Sequence, residues 1–272
     1  MDLSLIILNY NTKNLLRECL RGIRICAPKL AMEVIVVDNA SSDKSVEMVV
    51  AEFPEVKVIR AESNLGYAGG NNLGIKAAVG RYIMVMNADI LLMPDALERL
   101  VSFMDANPKV GLVGPQLLNP DRTIQRSCYR FHSLLTPIYR RTVVGLLPFA
   151  RQSNSDYLMK DFDHGSERDV DWLLGGALVA RREAVAEVGP LDTGFFMYMD
   201  DTDWCRRFWE KGWRVTYCPE AKMVHFHQRQ SSGGVVALFR KPTARYHARS
   251  AVTYFRKYLG KENPRLGYSD RE

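Results

Sequence analysis

No stretch of this 272-residue sequence approaches the ~20 consecutive apolar residues that a membrane-spanning helix requires. The opening Met1-Asp2-Leu3 lacks the basic segment of a secretory signal peptide. Spanning and secretion are both disfavoured, and a cytoplasmic location is expected. Cysteine is sparse: Cys19, Cys26, Cys128, Cys205 and Cys218 are odd in number and contain no C-x-x-C pair, as suits a reduced compartment. Acid is missing from residues 221–261, which hold nine Lys or Arg and no Asp or Glu. The net charge of +6 belongs to that segment, and the rest of the chain is slightly acidic. A general nucleic-acid surface is therefore disfavoured, and no nucleic-acid partner is expected.

What is present is the composition of a folded globule, with 47% hydrophobic and 25% charged residues. A chain of this length buries roughly three quarters of its unfolded surface, so one large domain needs no staples. Leu3 to Leu8 is a wholly apolar run, too short for an ordinary helix and suited to a strand buried on both faces. Leu15, Leu16, Cys19, Leu20 and Ile23 recur at helical spacing, and Val34 to Val37 reads as a second strand closed by Asp38. Ser42 is placed to cap a helix with Val46, Val49, Val50 and Phe53 on its inner face. A third strand over Val56 to Ile59, a helix after Gly69, a fourth strand from Tyr82 to Met86, a helix with Pro94 in its first turn and a fifth strand from Val110 to Val113 follow. This alternation predicts an α/β fold, a mostly parallel central sheet flanked by helices.

Ligands bind such sheets at the carboxyl ends of the strands. Those ends carry Asn9, Tyr10 and Asn11, then Asp38, Asn39 and Ser42, then Asn87 and Asp89. Beyond Pro115 the pattern degrades into an irregular excursion as far as Asp169. Trp172, Gly175 and Gly176 then predict an extended segment with a close backbone approach, and a helix carries Trp204, Phe208 and Trp209 up to Lys211-Gly212.

A nicotinamide-binding fold would need G-x-G-x-x-G after the first strand, where the chain has Asn9-Tyr10-Asn11. A nucleotidyltransferase would want a glycine-rich, basic triphosphate loop there, which is also absent. The glycine cluster lies later, in N-L-G-Y-A-G-G-N-N from Asn64 to Asn72. Its backbone amides either approach a polar ligand or simply turn into a helix. Asn87-Ala88-Asp89 presents two polar side chains on one side of a strand end, suited to a divalent cation shared with a diphosphate or to a helix cap. His225-Phe226-His227 is either a metal pair or an edge-strand pair. Asp200, Asp201 and Asp203 precede a helix; such acids favour the helix N-terminus, and their crowding raises one another's proton affinity as a general base requires.

Taken together, S-L-I-I-L-N-Y-N, E-V-I-V-V-D-N-A-S-S-D, N-L-G-Y-A-G-G-N-N, N-A-D, W-L-L-G-G-A and F-F-M-Y-M-D-D-T-D-W-C-R-R resemble the family 2 inverting glycosyltransferases, particularly their rhamnosyltransferase-like branch. The resemblance runs from Leu3 to His227. It implies a GT-A, Rossmann-like fold and transfer of a sugar, rhamnose for preference, to a glycan or lipid-linked saccharide in cell-surface polysaccharide synthesis. The donor is a deoxythymidine or uridine diphosphate sugar. Asp38 would recognise the nucleobase, with Asn9, Asn11, Asn39, Gly66, Asn71 and Asn87 also on the donor side. Asp89 and His225 would hold Mg2+ or Mn2+. Asp201 would be the base beside Asp200, and Trp172, Gly175 and Gly176 would line the acceptor side. Two positions depart from the family pattern: Asn87 stands where the first acid of Asp-x-Asp is usual, and Asp200 where Glu is usual. The different-class alternative is a noncatalytic sugar-nucleotide or glycan-binding module on the same fold.

These motifs divide the chain into a catalytic domain over 1–234, with a donor half over 1–114 and an acceptor half over 115–234, and a basic helical tail over 235–272. In the tail, Ala244, Ala248, Ala251, Phe255 and Tyr258 form a helical stripe beside Arg245, Arg249 and Arg256, with Pro242 in the first turn. Such an amphipathic helix either contacts an anionic membrane peripherally, at the inner face of the cell membrane, or docks on the catalytic domain.

Overall fold

The computed structural model describes residues 1–26, 28–226 and 242–268. The first half runs β1 (Leu3–Asn9), α1 (Lys13–Cys26), β2 (Met32–Asp38), α2 (Ser45–Glu52), β3 (Lys57–Arg60), α3 (Gly66–Ala77), β4 (Tyr82–Asn87), β5 (Ile90–Leu92), α4 (Ala96–Ala106) and β6 (Val110–Leu118). The second runs β7 (Ile124–Gln125), β8 (Cys128–Tyr129), α5 (Thr136–Arg141), a 3₁₀ turn (Val143–Leu146), α6 (Pro148–Tyr157), β9 (Arg168–Asp169), β10 (Trp172–Leu173), β11 (Ala177–Arg181), α7 (Arg182–Val188), α8 (Asp200–Glu210), β12 (Arg214–His225) and α9 (Pro242–Tyr258).

The main sheet has the order β3-β2-β1-β4-β11-β6-β12-β5, with β7 on β6 and β9 on β12. β3, β2, β1 and β4 are parallel neighbours, as are β6 and β12, while β11 runs antiparallel between β4 and β6. β1 alternates between two cores. Leu3, Leu5 and Ile7 face the side covered by α1, α2 and α4, whereas Ile6 faces Ala68 and Ile75 of α3 and shares its core with Trp204 and Phe208 of α8. Both faces are thus covered, which is why β1 reads as a continuous apolar run. The register sets Asn9 opposite Asp38 and Leu8 opposite Asn87, so the polar strand ends share one edge of the sheet.

Several local expectations are corrected. Ser42 is not the cap of α2: Lys44 precedes the helix in the left-handed region at φ 62°, and Asp43 Oδ1 accepts from Ser45 N at 3.1 Å. Val50 is exposed, and Met48 takes its place on the inner face. The helix expected after Gly69 starts at Gly66, so the glycines lie inside α3; Cβ atoms at Gly70 and Gly74 would overlap Leu8 and Ile6 of β1. Pro94 precedes its helix, which starts at Ala96 after Asp95 in the left-handed region. The fifth strand continues to Leu118 because β12 pairs with it along most of its length. The irregular excursion contains α5, α6 and three short strands, and α8 starts at Asp200 rather than after Thr202.

α9 docks on the body of the fold. Its Tyr254 and Tyr258 pack against Phe195 and Met199, and Ser250 Oγ donates to the Met197 carbonyl at 2.9 Å. Lys257 Nζ lies 2.7 Å from Asp203 Oδ1 and 2.5 Å from Asp192 Oδ2, while Tyr258 donates to Asp203 at 2.7 Å. The apolar stripe is used in this contact, leaving Arg245, Arg249 and Arg256 exposed. Among the described residues, no helix is long and apolar enough to cross a membrane.

Candidate active site

The site is assembled around the Gly175–Gly176 junction, which leads from β10 into β11. Pairing of β11 with β4 brings the Gly176 carbonyl to Asn87 N at 2.9 Å. A Cβ on Gly176 would stand 3.3 Å from His225 Cε1, and one on Gly175 would stand 3.2 Å from both Asp201 Cβ and the Tyr67 hydroxyl. Both positions leave little room for a side chain, because Asp201, Tyr67 and His225 converge on the same backbone. Gly175 N donates to Asp201 Oδ2 at 2.9 Å, and the Tyr67 hydroxyl donates to the Gly175 carbonyl.

Asp200 and Asp201 open α8 behind two strained residues, Tyr198 at φ 70° and Met199 at φ 65°. Non-glycine residues hold such angles only where packing over-determines them, and here α9 covers Met199. Asp200 is 4% exposed, and its Oδ2 has no hydrogen-bond partner among the described residues. Burial, then the Asp201 charge, pushes the Asp200 carboxyl well above the ordinary range. Burial also raises Asp201, but the N–H groups of Gly175 and Thr202 donate to it and favour its anion. The pair is therefore asymmetric: burial and the Asp201 charge favour the protonated form of Asp200, whereas Asp201 is the member whose anion is supported by hydrogen bonds. Asp203 leaves the cluster, turning instead to Arg207 at 2.8 Å and to α9.

Asp89 and His225 meet because β5 pairs with the end of β12. Ile90 opposes His225, Phe226 N donates to the Asp89 carbonyl, and His225 Nε2 lies 3.5 Å from Asp89 Oδ1. His225 Nδ1 lies 2.6 Å from Gln125 Oε1. The sense of that bond is set from outside. Gln125 Nε2 donates to Asn119 Oδ1, Asn119 Nδ2 to Thr123 Oγ1, and Thr123 Oγ1 to the Asp121 carboxylate, which can only accept. Gln125 must therefore receive a proton from Nδ1, which leaves Nε2 as the ring nitrogen that faces Asp89. Asp89 Oδ1 is buried without a hydrogen-bond partner among the described residues, and an imidazole nitrogen beside a carboxylate oxygen is a donor set that fits a shared cation. Among the described residues no three His, Cys, Asp or Glu gather to hold a metal, so a cation here would need ligand oxygens as well. His227 lies outside the described residues.

Of the residues expected on the donor side, Asn9, Asp38 and Asn87 lie at adjacent strand ends, while Gly66 and Asn71 belong to α3. Asp38 is 4% exposed and accepts from Asn9 Nδ2 at 2.9 Å and Ser41 N at 3.0 Å. Asn11 Oδ1 accepts from Ser42 N, tying the first two loops together. Asn39 holds the glycine segment, accepting from Leu65 N and donating to the Gly66 carbonyl. Gly66, at φ 73°, lies so close to Phe196 that a Cβ would overlap its carbonyl, which accepts from Tyr67 N. Asn71 is buried within α3 and donates to the Tyr67 carbonyl. Asp38 and Asp201 are thus linked through Asn39, Gly66, Tyr67 and Gly175.

Trp172 is buried rather than presented to solvent. It stacks on Tyr129 at 4.5 Å and His132 at 5.5 Å, and its Nε1 donates to the Arg130 carbonyl. Burial, then the charges of Arg140 and His247, lowers His132 to about 3, so it is neutral at physiological pH. Burial pushes Tyr129 up to about 12 against the opposing charge of Arg140. Sequence reasoning missed Tyr67, which was visible inside N-L-G-Y-A-G-G, and Gln125, which sits in a stretch without periodicity.

The family model described as Glycosyl transferase family 2 matches residues 4–164. An N-acetylglucosaminyl-diphospho-decaprenol L-rhamnosyltransferase of Mycobacterium tuberculosis is 29% identical over 247 residues, covering 84% of this chain and 75% of the relative. Rhamnosyltransferase WbbL of Escherichia coli is 23% identical, over 71% of this chain and 74% of its own. The structure of GalNAc-T7 with UDP, GalNAc and Mn2+ superposes with a TM-score of 0.63 at 16% identity, over 86% of this chain. This chain spans 46% of that longer one, and the likeness shows a shared GT-A fold.

Proposed function

The chain belongs to glycosyl transferase family 2, and from that premise we propose that it transfers rhamnose, with inversion, from a deoxythymidine diphosphate donor to a hydroxyl of a lipid-linked saccharide in polysaccharide synthesis. The choice of sugar and acceptor is supported by the activity in the name of the mycobacterial relative. The observation that carries the reading is the Gly175–Gly176 junction, which joins Asp201 on one side to the Asp89–His225 pair on the other.

Each Asp38 oxygen accepts one bond and has a second lone pair, so the carboxylate can take the imide N–H that thymine and uracil share. Asp89 and His225 would hold a divalent cation, Mg2+ or Mn2+, which when bound offsets the charge that grows on a leaving diphosphate. Asp201 takes the proton of the acceptor hydroxyl as its oxygen bonds to the anomeric carbon. The bond to the diphosphate breaks on the opposite face, so the configuration inverts. Gly175 N–H orients Asp201 for this step, and Asp200 stays protonated behind it. The exposed Arg245, Arg249 and Arg256 of α9 would face the anionic membrane that carries the acceptor.

The test is to incubate the purified protein with deoxythymidine diphosphate rhamnose or uridine diphosphate sugars, with and without Mn2+, and to follow release of the nucleoside diphosphate. Slow metal-dependent release that Asp201→Asn abolishes is the expected result. Binding of donor with no turnover under any condition would favour the noncatalytic module instead.

A further inference from the structure

Away from this site, exposed apolar side chains gather in one unit. Leu134, Leu135, Ile138, Leu146, Leu147 and Phe149 lie on or beside α5, the 3₁₀ turn and α6, with exposures from 45% to 66%. The unit has defined internal packing. Asn154 Nδ2 donates to the Tyr139 carbonyl at 3.3 Å, a Cβ on Gly145 would overlap that carbonyl, and the Tyr139 and Phe149 rings meet edge to face at 5.9 Å. Single exposed apolar residues need no explanation, but a cluster of this size marks a contact surface.

Beside it lies a cavity of about 440 Å³ lined by Arg140, Arg151 and Lys160 together with Tyr139 and Asn154. No carboxylate lines it, and none of the three cations forms an ion pair among the described residues. The surrounding sequence from Arg122 to Ser155 holds six Arg and no Asp or Glu. A second copy of the chain would set these cations against their own equivalents, so self-association through this face is opposed by charge. Arg and Lys beside exposed Leu and Phe offer an anionic lipid monolayer both contacts it can make, cations for its phosphates and apolar side chains for its acyl chains.

We propose that the α5–α6 hairpin is a membrane-docking surface, its apolar side chains entering the interfacial layer and its cationic cavity taking the phosphates of anionic lipids. This deepens the reading of a lipid-linked acceptor, on which it rests, by naming the surface that meets the bilayer. It is tested separately from transfer, because vesicle binding requires no turnover.

The experiment is co-sedimentation of the full chain with phosphatidylcholine vesicles and with vesicles that also contain phosphatidylglycerol. The wild-type protein is expected to bind the anionic vesicles. L146S/L147S/F149S should lose roughly tenfold or more of that binding, and R140Q/R151Q/K160Q should lose the preference for anionic lipid. Both variants should keep the wild-type rate of donor hydrolysis. Hydrogen exchange of the wild-type chain with and without vesicles needs no variant and should show protection over 134–151. The proposal is overturned if wild-type protein ignores anionic vesicles, if the serine variant binds as well as wild type, if 134–151 gains no protection, or if pyrophosphate in solution binds the cavity while vesicles do not.

Discussion

His225 presents Nδ1 to Gln125 Oε1 at 2.6 Å, at the head of a hydrogen-bond chain that ends on the Asp121 carboxylate. Each amide in the chain is oriented by the next, so a surface acid fixes which ring nitrogen of a buried histidine is left to face Asp89. Supporting bonds of this kind around metal-binding histidines typically contribute 10–100-fold in metal affinity.

Replacing Gln125 with Leu removes the acceptor and is expected to weaken Mn2+ binding by about 10-fold or more. Gln125→Glu keeps an acceptor and should restore most of the affinity. Titration of Mn2+ followed by electron paramagnetic resonance reads this without any substrate. Equal affinity in the Leu variant would show that the chain does not position His225.

Asp201→Asn should lower transfer by about 10²–10⁴-fold, the usual contribution of a general base, with donor KM nearly unchanged. Because burial raises Asp201, the active anion should be lost as pH falls through a value above the ordinary carboxylate range. The acid limb of the kcat/KM profile is the measurement, and a limb at or below the ordinary range would contradict the assignment.

Asp200 is kept protonated by burial and by the charge of Asp201. A raised folded-state pKa contributes stability below the unfolded pKa that is lost as pH rises towards the folded one. Asp200→Asn cannot ionise, so its melting temperature should exceed that of wild type at pH 8 and the gap should narrow towards pH 4. Thermal melts across that range would refute this if the gap were constant.

Gly66 and Gly212 both have positive φ, at 73° and 81°, but only Gly66 is crowded. Gly212→Ala should lose about 1 kcal/mol from backbone conformation alone. Gly66→Ala must also push Phe196 away and should lose more than about 2 kcal/mol. Urea unfolding distinguishes the two, and equal losses would mean that the Phe196 contact contributes nothing.

Asp203 is wholly buried and binds Arg207, Lys257 and Tyr258, so it ties α8 to α9. Asp203→Ala strands these partners and is expected to cost about 3–5 kcal/mol. The milder Tyr258→Phe should raise hydrogen exchange across 242–258. Unchanged exchange would show that the Tyr258–Asp203 bond does not hold α9.

Much of the donor half is legible in sequence because it is built from local patterns. The strand runs at Leu3, Val34 and Tyr82 are short and continuously apolar, and each ends in the polar residues that the parallel register later sets side by side. The motif residues Asp89, Asp201 and His225 were identifiable from their match to the family pattern. Their meeting was not, since it depends on β11 entering antiparallel between β4 and β6 and on β5 pairing with β12, partners far apart in number. The same holds for Gln125, which has no periodic signal of its own and acquires a role only because β7 folds back on β6. The tail helix shows the limit from the other side. Its stripe of Ala244, Ala248, Ala251, Phe255 and Tyr258 specifies an amphipathic helix, but whether that stripe meets lipid or protein depends on the shape waiting for it. Helical periodicity is a property of neighbouring residues, whereas the choice of a partner surface is decided only when Phe195, Met199 and Asp203 have been brought to the same place.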